Sequence, residues 1–183
     1  RRRALELLYT LVNSKNVKAL AREMLNYLVV ADDDVKEDLC QRTASVVNDF
    51  SPDRAWHIDT MVSILQLAGN SCSDDIVSQT ISLVGQDEQF QGYGCTKLYT
   101  ALLEDQSQIG LNHAAIWCLG EYGHRVEIDG KSKYEVEEDI VTMLKKLLTL
   151  HNSTLLTKSY ILSASLKLTA RFESDNAMQD LKS

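Results

Sequence analysis

Four histidines, four cysteines and three runs of carboxylates are the residues of this chain with types suited to catalysis or metal binding. A general base must lie within hydrogen-bond reach of the group it deprotonates, and a metal needs ligands converging on one point. His57, His113, His124 and His151 are widely separated in sequence, and His57 follows Trp56 inside an apolar-periodic run. They read as helix-packing or surface histidines. Cys40, Cys72, Cys95 and Cys118 are scattered singly, with no Cys-x-x-Cys pair and no histidine at zinc-ligand spacing. They read as buried, reduced thiols of a cytosolic protein. Asp32-Asp33-Asp34, Asp74-Asp75 and Glu137-Glu138-Asp139 each fall where a helix opens, where negative charge favours the helix dipole; none has the spacing of a calcium loop. No catalytic, cofactor-binding or metal-binding residue is assigned, no cofactor is expected, and the chain is expected not to be an enzyme. No partner-binding residue is assigned either.

Several short motifs have plain structural readings. Gly92-Tyr93-Gly94 and Gly120-Glu121-Tyr122-Gly123 follow no strand and precede no Gly-Lys-Ser/Thr, so they are not phosphate loops. Gly120 lies in an apolar helix, where a missing side chain lets a second helix come close. Asn152-Ser153-Thr154 matches a glycosylation acceptor but reads as a helix cap, since no secretory signal is seen. Segments starting at Tyr9, Tyr27 and Tyr99 have the form of tyrosine sorting signals but sit in helical pattern. Leu147-Leu148 and Leu155-Leu156 read as core leucines.

The elements that would position these residues are helices. The chain has 183 residues, 44% of them hydrophobic, with one proline and eight glycines. Too few turn formers are present for an all-β fold. The formal net charge is -7, and the only basic cluster is Arg1, Arg2 and Arg3, so no nucleic-acid partner is expected. No apolar run approaches the ~20 residues a membrane span needs. The chain does not begin with Met and reads as a piece of a larger protein.

Val17, Leu20, Ala21, Met24, Leu25 and Leu28 make one helical face behind an Asn16 cap. Ser51-Pro52 reads as a cap with a first-turn proline, and Gly69-Asn70 as that helix's end. Ser73 and Asp87 open the next two. From Gln108 to Tyr122 the pattern is apolar nearly all round, the mark of a helix enclosed by others, with Gly123 closing it in the left-handed conformation. His124 to Lys133 is the one long loop. Ser132-x-x-Glu135 forms a capping box. Ser153 caps a last clear helix running through Leu156, Ile161, Leu162, Leu166, Leu168 and Phe172.

Helix starts lie roughly 14 to 24 residues apart, and every second start gives a period of roughly 35 to 45, the range of HEAT and armadillo helix pairs. The expected fold is all-α: a right-handed α-solenoid of HEAT/armadillo-like helix pairs, about four and a half of them. Trp56, Trp117, Gly120 and Tyr122 are expected to pack inside it. Truncating Trp117, if buried, would cost roughly 3–5 kcal/mol.

Four stretches resemble one family, in order along nearly the whole chain. They are Arg1 to Leu8 with Val12-Asn13 and Asn16; Trp56-His57-Ile58-Asp59-Thr60 with Ala68-Gly69; Ala115-Ile116-Trp117-Cys118-Leu119-Gly120-Glu121-Tyr122-Gly123; and Leu166-Lys167-Leu168-Thr169 with Arg171-Phe172. Together they resemble the trunk of the adaptin large subunits of heterotetrameric clathrin adaptor complexes, the gamma type above the alpha, beta, delta or epsilon types. The stretches from Val29 to Asp49 and from Asp75 to Gln89 carry only helical pattern, and the loop after Gly123 is shorter than that type leads one to expect.

The resemblance implies that residues 1–183 are a single fragment of the adaptin trunk, the adaptin N-terminal domain, with about nine helices and a truncated tail at 173–183. It implies a non-enzymatic scaffold supporting cargo sorting and coated-vesicle formation at the trans-Golgi network and endosomes. Its partners would be the beta, medium and small adaptor subunits, with clathrin and an ADP-ribosylation-factor-type GTPase contacted through parts outside this stretch. The complex would be cytoplasmic and peripheral on Golgi and endosomal membranes and clathrin-coated vesicles. The alternatives are another helical-repeat scaffold, of the nuclear-transport or phosphatase regulatory type, or the large subunit of a different coat complex. A nuclear-transport scaffold would show a repeated asparagine or basic ladder, and none is seen.

Overall fold

The computed structural model describes residues 2–182, and of residues 2–5, 33 and 34 the backbone only. Arg1 lies outside the described residues, as do the side chains of Arg2, Arg3, Ala4 and Leu5, so that part of the resemblance has no structural counterpart here.

Ten α-helices are present among the described residues: α1 (Arg2–Leu11), α2 (Val17–Val30), α3 (Asp33–Phe50), α4 (Arg54–Ala68), α5 (Asp74–Gly85), α6 (Glu88–Glu104), α7 (Ile109–Tyr122), α8 (Lys133–Thr149), α9 (Leu155–Leu168) and α10 (Asp175–Lys182). Single 3₁₀ turns follow α4 (Gly69–Ser71) and α7 (Gly123–Arg125), and no strand occurs among the described residues. About nine helices were expected; the tenth occupies the stretch given as a truncated tail at 173–183. Its buried Ala177 and the packing of Leu181 on the core hold α10 down.

The helices alternate between two layers. In one, α2 touches α4, α4 touches α6, and α8 touches α10. In the other, α5 touches α7 and α7 touches α9, while Asn48 of α3 reaches Gln79 of α5 at 2.7 Å. The chain is an all-α solenoid. The regular step is interrupted once, where the turn Gly123–Arg125 packs on both α6 and α8.

The core explains the sequence pattern. α7 contacts α4, α5, α6 and α9, so nearly every residue from Gly110 to Gly120 is buried and no polar face survives. Each fully buried leucine or isoleucine here, such as Leu111 and Ile116, contributes about 1.5–3 kcal/mol. The α7–α9 contact is close because Gly120 has no side chain: a Cβ there would sit 2.8 Å from Ala164 Cα. Gly94 of α6 does the same against α5, where a Cβ would meet Val84 Cγ2 at 2.8 Å.

Several boundaries differ from the sequence reading. Asp53, not Ser51, caps α4, accepting from Trp56 N at 2.8 Å. A carboxylate at that position reaches the free N–H groups, and Pro52 lies ahead of the helix. Asn16 does not cap α2; its side chain turns back, accepting from Asn13 N and donating to Leu11 O, and so fastens the α1–α2 turn. Thr154, one residue beyond Ser153, caps α9 through Thr157 N at 3.1 Å. The Ser132–Glu135 capping box of α8 is present in both directions. Gly123 is right-handed, at φ -57°, and begins the 3₁₀ turn instead of reversing the chain. It is needed for space, since a Cβ would lie 3.1 Å from Leu168 Cδ2.

Candidate functional site

The four histidines are not brought together. His57 is buried in α4, and its Nε2–H donates to Asn48 Oδ1 at 2.7 Å. Asn48 in turn donates to Gln79 Oε1, so His57 ends a polar chain across α3, α4 and α5. His113 in α7 lies 2.9 Å from Thr157 Oγ1 of α9, with its ring 5.2 Å from that of Tyr160. A histidine beside a hydroxyl is the geometry of a base and its nucleophile. Both residues are buried, however, and Thr157 Oγ1 also bonds Thr154 Oγ1, the α9 cap. The pair is thus a structural link between two neighbouring helices of one layer. His124 sits in the turn after α7, and His151 is exposed between α8 and α9. Burial lowers the pKa of His57 and His113. Burial lowers that of His124 too, helped by Arg125, Arg171 and Lys133. These three rings are held neutral by their surroundings.

All four cysteines are free, and Cys72 alone is not fully buried. Burial pushes the Cys40 thiol up to about 11 and that of Cys72 to about 12, and raises those of Cys95 and Cys118 as well. A thiol so shifted carries almost no thiolate near neutral pH and is a poor nucleophile. No group of three or more His, Cys, Asp or Glu side chains converges on a metal position among the described residues.

The acidic runs divide. Asp74 and Asp75 are exposed in the first turn of α5, and Asp32 stands at the cap of α3; the side chains of Asp33 and Asp34 lie outside the described residues. Glu137 does something the sequence reading missed. It is 1% exposed and faces α10, where its Oε2 accepts from Glu173 N at 2.9 Å and Ser174 N at 2.8 Å. Glu138 beside it accepts from Ser174 Oγ and Asn176 Nδ2. The run therefore serves the start of α10 more than that of α8. Its signal in the sequence was a glutamate on the apolar side of a helix, three positions ahead of Ile140.

Polar ties join α7 and α9 elsewhere too. Glu121 of α7 accepts from Lys167 on α9 and from Arg171 just beyond it, and Arg171 also donates to Gly120 O. Trp117, expected to be buried, is half-buried; Lys167 Nζ lies 5.4 Å above its ring. It is the one residue between Gly110 and Gly120 that reaches the surface.

Exposed leucines gather at the end of α8 and along α9. Leu155 is 83% exposed, Leu162 65% and Leu166 66%, and Leu148 and Leu156 are exposed too. The expectation that Leu147, Leu148, Leu155 and Leu156 are core leucines holds for Leu147 alone and is corrected for the other three, which are exposed. Beside them a cleft of about 480 Å³ runs between α8, α9 and α10, floored by Val141, Leu144 and Ile161 and edged by Leu162 and Leu181. Periodicity marked these leucines as apolar without saying which neighbour covers them.

A stack of packed helices with an exposed apolar face agrees with the comparison by sequence. Residues 1–183 match the family described as adaptin N terminal region. The chain belongs to the adaptin family. AP-1 complex subunit gamma-like 2 of Mus musculus is 38% identical to this adaptin chain over 180 residues, covering 96% of it and 23% of the relative. AP-1 complex subunit gamma-1 of Arabidopsis thaliana is 38% identical over 180 residues, covering 95% of the chain and 20% of the relative. AP-1 complex subunit gamma of Dictyostelium discoideum is 32% identical over 189 residues, covering 98% and 21%. The adaptin chain thus spans about a fifth of the length of the curated relatives it matches. None of its described helices is long and apolar enough to cross a membrane.

Proposed function

We propose that this adaptin chain is a trunk segment of the large subunit of an AP-1-type clathrin adaptor, and that it acts as a non-enzymatic scaffold. The observation that carries the reading is the match to AP-1 gamma subunits over 95% or more of the chain. The fold supports it: a stack of helices offers long faces on which other subunits can lie. On this reading the residues 1–183 are one piece of the adaptin trunk. The assembled partners are the beta, medium and small subunits. Clathrin and an ADP-ribosylation-factor-type GTPase are met through other parts of the large subunit. The complex works on cargo sorting and coated-vesicle formation at the trans-Golgi network and endosomes, as a cytoplasmic assembly bound to the membrane surface.

AP-2 complex subunit alpha of Schizosaccharomyces pombe is 30% identical over 126 residues, covering 69% of the chain, which makes an AP-2-type large subunit the second reading. Purification of the tagged full-length protein from its own cells separates the two. Recovery of the beta, medium and small subunits of the AP-1 type is the expected result. Recovery of AP-2-type partners selects the second reading, and recovery of nuclear-transport cargo or a phosphatase catalytic subunit rejects both.

A further inference from the structure

A polar groove lies where α3, α4 and α5 meet. Its volume is about 580 Å³, and Asn48, Ser51, Ser78, Gln79, Ser82 and Gln86 line it with amides and hydroxyls. Leu83, its one aliphatic member, is buried. The formal charges of Arg54 and Asp75, both in the lining, cancel. The groove therefore offers hydrogen bonds in place of net charge or apolar surface.

Two of its amides are held in a set direction by the neighbouring helices. Arg54 Nη1 donates to Gln86 Oε1 at 3.0 Å. A guanidinium only donates, so the Gln86 oxygen must face it and the NH2 group is turned away. Asn48 Nδ2 donates to Gln79 Oε1 at 2.7 Å in the same manner, and Asn48 is itself held by His57. Both glutamines thus keep their oxygens on the protein and leave their N–H donors to the groove. Gln79, Ser82 and Gln86 follow one helical face at i, i+3 and i+7, since Gln86 continues the path of α5 through its bond to Ser82 O. At a rise of 1.5 Å per residue the two glutamines stand about 10 Å apart along the axis.

We propose that this groove seats an extended, proline-rich segment of a partner protein, whose carbonyl oxygens accept from Gln79 and Gln86. In the polyproline II conformation a chain makes three residues per turn with a rise of about 3.1 Å, so carbonyls on one side recur at about 9 Å. That repeat matches the glutamine spacing. Proline has no N–H to satisfy, and the groove presents donors. The Ser78 and Ser82 hydroxyls are placed to donate to the carbonyls between. Residues 1–183 hold a single proline, so the segment is sought in another protein. The inference rests on donor geometry and goes beyond the adaptor reading above.

The test selects phage-displayed peptides, rich in proline and free of charged side chains, on the full-length protein. The selected peptide is then titrated by fluorescence polarisation. Gln79→Glu and Gln86→Glu each keep the oxygen that Asn48 or Arg54 holds and lose only the NH2 donors. Each is expected to weaken binding about five-fold or more, the loss of a hydrogen bond, with no change in Tm. Ser82→Ala, which breaks no tie between helices, is expected to weaken binding too, and Ser45→Ala, exposed on α3 outside the groove, to leave it unchanged. Failure to select any peptide overturns the proposal. So does a selected peptide that binds both glutamate variants and Ser82→Ala as tightly as the parent.

Discussion

At the level of single residues, Gly120 and Glu137 hold positions that no other side chain fills equally well. A methyl group on Gly120 would press on Ala164 backbone, which cannot swing aside as a long side chain would. Gly120→Ala is therefore expected to destabilise by about 1–3 kcal/mol despite its better helix propensity. Urea denaturation reads this, and an unchanged or higher midpoint would show that α7 and α9 are not in close contact. Trp117 is a weaker case than the sequence suggested. Part of its ring is open to solvent and Lys167 lies over it, so Trp117→Ala is expected to cost about 2 kcal/mol, below the range for a buried tryptophan. A loss above the buried range would mean that the ring is enclosed after all.

Among the elements, α8 and α10 are tied by specific groups. Ser132→Ala removes the hydroxyl that accepts from Glu135 N while leaving the bond from Ser132 N–H to the Glu135 carboxylate; it is expected to cost about 1 kcal/mol, with the loss seen as faster hydrogen exchange in the first turn of α8. Glu137→Ala leaves Glu173 N and Ser174 N without their acceptor. It is expected to loosen residues 175–182 while α7 stays protected; uniform loss of protection across the molecule would contradict a local role. Capping boxes and periodic apolar faces are visible in sequence because both depend on residues three or four apart. Gly120 was legible for the same reason: it interrupts an apolar helix. The caps of α4 and α9 were placed at Ser51 and Ser153 instead of Asp53 and Thr154, since which of several nearby polar residues caps a helix depends on how the chain enters it, and Gly123 was read as left-handed where it is right-handed. Glu137 was read as a dipole-stabilising charge because its partners are more than thirty residues away. Leu155 and Leu156 of α9 were read as core because an apolar pair in helical pattern reports polarity, and which neighbour covers it is a property of the stack.

For the whole molecule, acid sensitivity follows from the buried histidines. His57, His113 and His124 have folded-state pKa values below the ordinary 6.5. As pH falls through 6.5 the unfolded chain takes up protons that the folded chain refuses, so stability declines until the lowered values are passed. Thermal melts should give a lower Tm at pH 5.5 than at pH 7.5; identical values would show that the three rings are freely solvated. A second decline is expected below about pH 4. There Glu121, held below the usual carboxylate range by Lys167 and then by Arg171, loses its charge. Its stabilising effect is full above that range and is lost as the pH falls through the lowered value.

The alternation of layers also governs how the chain reaches this state. All the substantial contacts join helices no more than three places apart, so little of the chain must be made before a given pairing can close. Such topologies fold quickly, and their growth can begin at one repeat and spread to the next. A polypeptide of this kind can assemble stepwise as it leaves the ribosome, each emerging rod settling on a platform already built.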